Sequence, residues 1–218
     1  MKLSDGIIAE KVLDAEDCAV HAQKVLALFK HWRHRGTFYT LGASTYNDNV
    51  MDYMAIAHKD NAILVRHFGG LLQALADMFA TRLKKEVIYL PTHGMPGFHI
   101  FDKTANGKQG SVHIDQPETR CWWPCKTSDR FTFTAPLELP QGHGGLNLYE
   151  GDRNTIKDHT GALPDPQYYP YDVGMIYIHD GQTIHQIANP VDMEENEFRI
   201  TLQGHGATLE DGRVVLYF

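Results

Sequence analysis

The chain has 218 residues, a formal net charge of −7 and a hydrophobic fraction of 43%. This length is typical of one domain, and the apolar content is enough for a substantial core. The excess of acidic residues argues against a nucleic-acid partner, because a nucleic-acid groove needs clustered Lys and Arg. The sequence has no run of about 18 apolar residues, so we expect no membrane-spanning segment.

The cellular location is predicted from the first residues and from the cysteines. Residues 1–6 contain a lysine, but no long apolar stretch follows it, so we expect no secretory signal. The three cysteines are an odd number, and Cys121 and Cys125 are not spaced as a C-x-x-C pair. We therefore predict reduced thiols in a cytoplasmic protein.

Two helices are predicted in the first part of the chain. Apolar residues recur at helical spacing across 17–33, after aspartates that can cap a helix. A longer helix with a wide apolar face is predicted from about 61 to 85, with Asp60 as its cap. A strand and a turn are predicted between the two helices, at 37–50.

Beyond Leu90 the pattern changes to short β-rich runs separated by Gly, Pro and Asn turns. Strands are predicted here and immediately before it, at 86–90, 97–102, 110–115, 130–139, 145–149, 174–179, 183–188, 197–203 and 213–218. Helices followed by strands predict a mainly β fold, in which the helices pack on a double-sheet jelly roll. We expect a single domain over 1–218, with 1–90 as a helical support layer and 91–218 as the jelly-roll core.

Two long segments between strands, 116–129 and 151–172, are predicted to be functional lids, because loops of this length are uncommon in compact domains. We expect them to border the mouth of a cavity and to be more mobile than the strands. Tyr168, Tyr169 and Tyr171 of the second segment would either line that mouth or only cover it.

The sequence His113-Ile114-Asp115 places a histidine and a carboxylate two residues apart. On a strand these two side chains point to the same face, so both can enter one cavity. One imidazole and one carboxylate are two thirds of the facial triad that holds non-haem Fe(II). The alternative is a histidine that is hydrogen-bonded to a turn aspartate.

Two later segments can complete such a site. Gly174 opens a strand, a glycine turn interrupts it, and a second strand carries His185. His179 is the alternative ligand, although its neighbours Asp180 and Gly181 are typical of a turn. Arg199 and Thr201 share one face of a later strand.

Over residues 95–205 these motifs resemble the Fe(II)/2-oxoglutarate-dependent oxygenases. His113-Ile114-Asp115 corresponds to the H-x-D motif of that family, and 144–149 to the G-G-x-L strand that often follows it. The stretch from Gly174 to His185 is similar to the glycine-opened strand that leads to the distal histidine. Arg199-Ile200-Thr201 is similar to the R-x-S/T pair that holds the far carboxylate of 2-oxoglutarate, with Arg213 as the alternative anchor.

The resemblance implies a double-stranded β-helix and a dioxygenase that uses Fe(II), 2-oxoglutarate and O2. The metal ligands would be His113, Asp115 and His185. The oxoacid would be held by Arg199 and Thr201, with His99 nearby on the preceding strand. Succinate and CO2 would be released while a C–H bond of a second substrate is oxidised. A carboxylate at position 115 favours hydroxylation, desaturation or ring formation over halogenation.

The second substrate is predicted to be a small polar metabolite, such as an amino acid or its derivative. Arg120 could bind a substrate carboxylate or lie at the surface as an ordinary arginine. Trp122 and Trp123 could cover an apolar substrate face, or could anchor their loop by burial. His205, just after the Arg199 strand, is interpreted as structural.

Two other functions are compatible with the motifs. A cupin-type metal enzyme would use His113, Asp115 and His185 but would have no use for Arg199 and Thr201. A non-catalytic barrel that binds a ligand or partner would bind no metal. The presence of a carboxylate anchor beside the metal ligands distinguishes the oxygenase from both alternatives.

Overall fold

The computed structural model describes residues 6–46, 48–49, 52–106, 108, 110–115, 122–142, 144–151, 164–188 and 193–218. Within these ranges the chain is mainly β and has two α-helices, α1 (Ala15–Ala27) and α2 (Tyr53–Leu83). The strands are β1 (Ile7–Lys11), β2 (Arg33–His34), β3 (Tyr39–Leu41), β4 (Val87–Ile88), β5 (Gly97–Phe101), β6 (Thr127–Glu138), β7 (Gly145–Tyr149), β8 (Gln167–Pro170), β9 (Met175–Asp180), β10 (Ile184–Ala188), β11 (Arg199–Leu209) and β12 (Val214–Tyr217).

The helices lie where they were predicted but have different boundaries. α1 ends at Ala27 and a 3-10 turn at Phe29–His31 follows, so the predicted helix over 17–33 is divided. α2 begins at Tyr53, well before residue 61, and the prediction that Asp60 caps it was wrong. Asp60 is buried within α2, where both carboxylate oxygens accept hydrogen bonds from Arg33. That ion pair satisfies an aspartate inside a helix, which helix periodicity by itself does not predict.

Strands pair into two sheets of unequal size. The larger has the order β1-β9-β6-β11-β5-β3-β2, and β12 pairs with both β11 and β4. The smaller has the order β10-β7-β8, and both of its pairs are antiparallel. In the larger sheet β12 and β4 are parallel and the other pairs are antiparallel. This mainly β architecture with a helical layer is consistent with the predicted jelly roll.

The larger sheet has one apolar face and one polar face, as the two-residue period of a strand allows. On β6, Phe131 and Phe133 join the core cluster that includes both helices. Thr132 and Thr134, which alternate with them, line a cavity on the opposite face. The same alternation on β5, β9 and β11 sends Ile and Phe side chains to the helices and polar side chains to the cavity.

Two strand predictions were wrong in part. Residues 167–170 lie in the predicted loop 151–172 but form β8, because their backbone pairs with β7. The predicted strand 110–115 has no ladder of its own. Within it, His113 forms a single bridge with His185 through two backbone hydrogen bonds of 2.9 Å.

Neither α1 nor α2 is both long enough and apolar enough to cross a membrane, as judged on the described residues.

Replacing Phe79 tests the packing of α2 on the sheet. Its ring is fully buried, with ring centroids 5.0 Å from Phe131 and 5.1 Å from Phe133. Phe79→Ala should lower the free energy of unfolding by about 3–5 kcal/mol, because it leaves a cavity in the core. Phe29→Ala, at a ring that is 60% exposed, is the control and should change that free energy by less than about 0.5 kcal/mol. Equal losses in urea unfolding would contradict the assigned core.

Candidate active site

A cavity of about 570 Å³ lies against the polar face of the larger sheet. Both sheets and the segment 110–115 line it. The larger sheet contributes His99, Thr132, Thr134, His179, Arg199, Gln203 and His205, and the smaller contributes Leu146, His185 and Ile187. This volume is in the range of small-molecule sites, and the lining combines imidazoles, hydroxyls and one guanidinium.

His113, Asp115 and His185 meet at one end of this lining. Their candidate ligand atoms all lie within 4.8 Å of one another. His113 Nε2 is 3.6 Å from Asp115 Oδ1, and His185 Nε2 is 3.6 Å from Asp115 Oδ2. The backbone bridge between His113 and His185 fixes this approach, because it joins the H-x-D segment to β10. These three residues form a donor set that could hold Fe(II).

Both imidazoles are oriented by backbone carbonyl groups. The Nδ1 of His113 is 2.8 Å from the Ser111 carbonyl oxygen, and the Nδ1 of His185 is 2.9 Å from that of Thr183. A carbonyl can only accept, so Nδ1 carries the proton in each neutral ring. Nε2 is then the unprotonated nitrogen of each neutral ring, which is the tautomer that a metal ligand needs.

Asp115 and His185 have the charge states that a metal site needs. Burial is the largest influence on Asp115 and raises its pKa, but His185, His113 and His205 together hold that pKa well below its ordinary value. Burial lowers the pKa of His185 to about 3, so this ring is neutral near pH 7. Burial lowers the pKa of His113, but the hydrogen bond and charge of Asp115 raise it overall.

His179, the alternative ligand, lies beside the group but outside it. Its ring centroid is 4.6 Å from that of His185, and its Nδ1 is 3.0 Å from the Asp180 carbonyl oxygen. It lines the cavity, yet it is not among the three residues whose ligand atoms converge.

Thr132 and His205 are site residues that the sequence analysis missed or undervalued. The Thr132 hydroxyl is 2.6 Å from Asp115 Oδ2 and 3.0 Å from His205 Nδ1. His205 was interpreted as structural, but it lines the cavity and lies 3.9 Å from the same carboxylate oxygen. The alternation of Thr132 and Thr134 with phenylalanines on β6 was the signal that could have identified this face.

Among the described residues, Arg199 is the cationic residue of the cavity wall. It is 1% exposed, and its Nε and Nη1 have no hydrogen-bond partner among the described residues. The guanidinium carbon lies 5.1 Å from the Phe101 ring centroid and 5.6 Å from that of Tyr171. Burial lowers the pKa of Arg199 from its ordinary value. Such a group favours an anionic ligand, because a buried unpaired charge is costly.

Gly144 shows why the G-G sequence precedes β7. A Cβ at Gly144 would lie 3.4 Å from Arg199 Nε and 3.0 Å from the Leu139 side chain, and its φ is +155°. A Cβ at Gly145 would lie 2.4 Å from the Tyr169 carbonyl oxygen of β8. The two glycines therefore let this strand pass close to the arginine and to its neighbouring strand.

The other predicted anchor residues have separate positions. Arg213 lies outside the cavity lining and pairs with Asp211 at 2.7 Å. Thr201 is buried and opposite His99 in the β11–β5 register, but it is not a cavity-lining residue, so its contact with the oxoacid stays a prediction. His99 does line the cavity, and burial lowers its pKa to about 3.

Tyr171 and Thr134 are further residues of the cavity that Arg199 lines. Both line the cavity, and the Tyr171 ring centroid lies 5.6 Å from the Arg199 guanidinium carbon. Burial raises the pKa of Tyr171 to about 12, so its hydroxyl keeps its proton. Of the two alternatives for this tyrosine, a lining position is the one observed.

The predicted substrate residues are less clearly placed. Arg120 lies outside the described residues, as does Cys121. Trp123 packs between Tyr217 and His93, with ring centroids 4.9 and 4.5 Å away, while Trp122 is 63% exposed. Neither tryptophan lines the cavity, so their substrate contacts stay predictions without support from these positions.

No protein-family model and no curated protein matches this chain in sequence. Its structure is similar to the crystal structure of an N-substituted L-amino acid dioxygenase from Burkholderia ambifaria AMMD, with a TM-score of 0.60 at 13% identity, covering 98% of this chain and 86% of that one. The same dioxygenase in complex with alpha-KG gives a TM-score of 0.60 at 12% identity, with the same coverage.

Two further structures extend this similarity. AviO1 from Streptomyces viridochromogenes Tue57 has a TM-score of 0.54 at 12% identity, over 92% of this chain and 89% of that one. SnoN, a non-heme alpha ketoglutarate dependent epimerase from nogalamycin biosynthesis, has a TM-score of 0.50 at 15% identity, over 92% and 77%. The predicted resemblance is confirmed at the level of the fold, because these neighbours include a dioxygenase determined with alpha-KG and an alpha ketoglutarate dependent epimerase.

Removing single imidazoles tests the proposed metal ligands. His113→Ala or His185→Ala should abolish stoichiometric Fe(II) binding, because two donors cannot hold the ion as three do. His179→Ala is the matched control, since it removes a buried imidazole 4.6 Å from His185 and should leave metal binding intact. Anaerobic titration calorimetry measures all three variants. Full binding in either ligand variant, or its loss in the control, would contradict the assignment.

Proposed function

We propose that this protein is an Fe(II)- and 2-oxoglutarate-dependent dioxygenase whose single domain, over 1–218, is a double-stranded β-helix with a helical support layer. It hydroxylates a C–H bond of a small polar metabolite and releases succinate and CO2. One observation carries the proposal: the His113, Asp115 and His185 donors face the same cavity as Arg199, whose Nε and Nη1 have no hydrogen-bond partner among the described residues.

The metal would be held by His113, Asp115 and His185. Two neutral imidazoles and one carboxylate suit Fe(II), and they leave open positions for a 2-oxoacid and dioxygen. Bound there, Fe(II) would supply the redox chemistry that couples loss of CO2 from the oxoacid to oxidation of the substrate. Ser111 and Thr183 support this role, because their carbonyl groups fix the ring tautomers.

The oxoacid would be anchored by Arg199. A planar guanidinium can donate two parallel hydrogen bonds to a carboxylate. Tyr171 and Thr134, which line the same cavity, can add hydroxyl contacts, and Thr201 keeps its predicted part in this group. His99 is neutral and its two ring nitrogens have no partner among the described residues, so it can hydrogen-bond the oxoacid as well.

The second substrate would occupy the remaining part of the cavity. Ser44, Thr37, Tyr46 and Gln203 line it and offer hydroxyl and amide groups, which suit a small polar molecule. An amino acid or a derivative is the preferred class, since the Burkholderia neighbour is a dioxygenase of N-substituted L-amino acids. Arg120 keeps its proposed contact with a substrate carboxylate.

The two alternative functions leave part of this arrangement unused. A cupin-type enzyme that does not use 2-oxoglutarate has no role for a buried arginine in the metal cavity. A non-catalytic barrel has no role for three metal donors with both imidazoles in the ligand tautomer. The combined presence of both features therefore favours the oxygenase.

Replacing Arg199 tests the proposed function directly. Arg199→Ala should weaken 2-oxoglutarate binding by about 2–5 kcal/mol, the range for truncating one partner of a buried charged pair. Arg199→Lys should recover only part of this loss, because an ammonium lacks the planar fork. Fe(II) binding should survive in both variants, since Arg199 is not a ligand. The measurements are 2-oxoglutarate affinity and succinate release.

Arg213→Ala is the matched control for this experiment. Arg213 is exposed and pairs with Asp211, so its removal should leave 2-oxoglutarate affinity unchanged. A loss in the control together with unchanged affinity in Arg199→Ala would move the anchor to Arg213. Metal binding without succinate release from any candidate substrate would favour the cupin-type enzyme.

A further inference from the structure

The Thr132 hydroxyl lies between a candidate metal ligand and a histidine that has no assigned role. It is 2.6 Å from Asp115 Oδ2 and 3.0 Å from His205 Nδ1. Thr132, Asp115 and His205 are 1%, 4% and 3% exposed. Three buried polar groups from β6, β11 and the H-x-D segment therefore form one chain of hydrogen bonds.

The two distances fix the direction of these bonds. A length of 2.6 Å is typical of a hydroxyl that donates to a carboxylate. Thr132 has a single hydroxyl proton, so the bond to His205 must be donated by the imidazole Nδ1–H. His205 thus holds the Thr132 oxygen as an acceptor and directs its proton to Asp115 Oδ2.

His205 is itself held in place by two aromatic rings. Its ring centroid is 5.6 Å from Tyr46, at an interplanar angle of 65°, and 5.5 Å from Tyr217, at 43°. The ring therefore has little freedom to turn its Nδ1 away from Thr132. A valine would have the same shape as Thr132 in this strand, so the hydroxyl is what distinguishes this position.

The hydrogen bond constrains how Asp115 can bind a metal. A carboxylate that coordinates through both oxygens takes up two positions, whereas one that coordinates through a single oxygen takes one. A donated hydrogen bond on Oδ2 uses one of its lone pairs and weakens it as a ligand. Oδ1, 3.6 Å from His113 Nε2, has no such contact with Thr132.

We infer that Thr132, oriented by His205, is a positioning residue that keeps Asp115 a one-oxygen ligand and so preserves the third open position at the metal. This inference rests on the proposed function, in which that position is needed by the oxoacid or dioxygen. It assigns to His205 an indirect role, through Thr132, and no contact with the metal.

Co(II) is the probe for this inference, because its visible ligand-field spectrum reports the number of ligands and needs no turnover. Thr132→Val should weaken Co(II) binding by about 10–100-fold, the usual effect of losing an outer contact to a ligand, and should alter the spectrum. Thr132→Ser keeps the hydroxyl and should restore both. Thr208→Val is the control: it removes a buried strand hydroxyl whose contact is Lys85, and it should match the wild type.

His205 is tested in combination with Thr132. His205→Leu should reproduce the affinity loss and spectral change of Thr132→Val, whereas His205→Asn, which can place an amide donor near the Nδ1 position, should restore them in part. The double variant Thr132→Val/His205→Leu should be no worse than Thr132→Val alone, because His205 acts only through the hydroxyl. Additive losses would contradict that indirect role.

The results separate this inference from the proposed function. If the wild type binds Co(II) and Thr132→Val has the same spectrum and affinity, the proposed role of Thr132 is wrong, but the metal site is still supported. Failure of the wild type to bind Co(II), Mn(II) or Fe(II) would overturn the metal site and the positioning role together. If Thr132→Ser, which keeps the hydroxyl, shows the same change as Thr132→Val, then the hydroxyl is not its cause and the inference would also be overturned.

Discussion

The active-site cavity depends on the contacts that keep the Asp115 carboxylate charged although it is buried. Removing a carboxylate from water is costly unless charged or hydrogen-bonding partners replace the solvent. Thr132 donates a hydrogen bond to this carboxylate, and the neighbouring His185, His113 and His205 hold its pKa well below the ordinary value. These residues come from both sheets and from the H-x-D segment, so the carboxylate connects the three parts of the cavity wall.

Arg199 is a second buried charge in the same cavity, and it is satisfied differently. Within the described structure it forms no ion pair, and its neighbours are the rings of Phe101 and Tyr171. Aromatic faces stabilise a cation only partly. An anionic ligand would pair with the guanidinium, whereas a neutral ligand would leave it unpaired. In the proposed function, the carboxylate of the oxoacid would be this anionic partner.

The larger sheet forms the cavity wall near both buried charges, Asp115 and Arg199, and its other face is covered by the helices. Phe131 and Phe133 pack against that helical layer while Thr132 and Thr134 face the cavity between them. The Arg33–Asp60 pair adds a polar connection between β2 and α2. A sheet buried on both sides can hold its cavity-facing side chains in fixed positions, which a metal site requires.

The sequence by itself determined the features that depend on interactions between residues close together in the chain. Alternation on a strand placed Arg199 on the polar face of β11. His113 and Asp115 do line one cavity, but Ile114 between them lines it too, and their segment forms only one bridge. Glycine and proline punctuation located most of the strands. These predictions succeeded because they rely on a period of two residues and on local backbone preferences, which neighbouring residues alone decide.

Contacts between distant segments were decided only by the tertiary structure. The single bridge between His113 and His185 brings His185, and not His179, into the donor group. Thr132 and His205 are far apart in sequence, and neither residue type marks a site until β6 and β11 pair beside Asp115. β8 likewise exists because β7 offers it a partner edge. A single sequence carries no direct signal for such pairings, because the energy that selects them comes from burying charges and backbone groups that meet only in the folded chain.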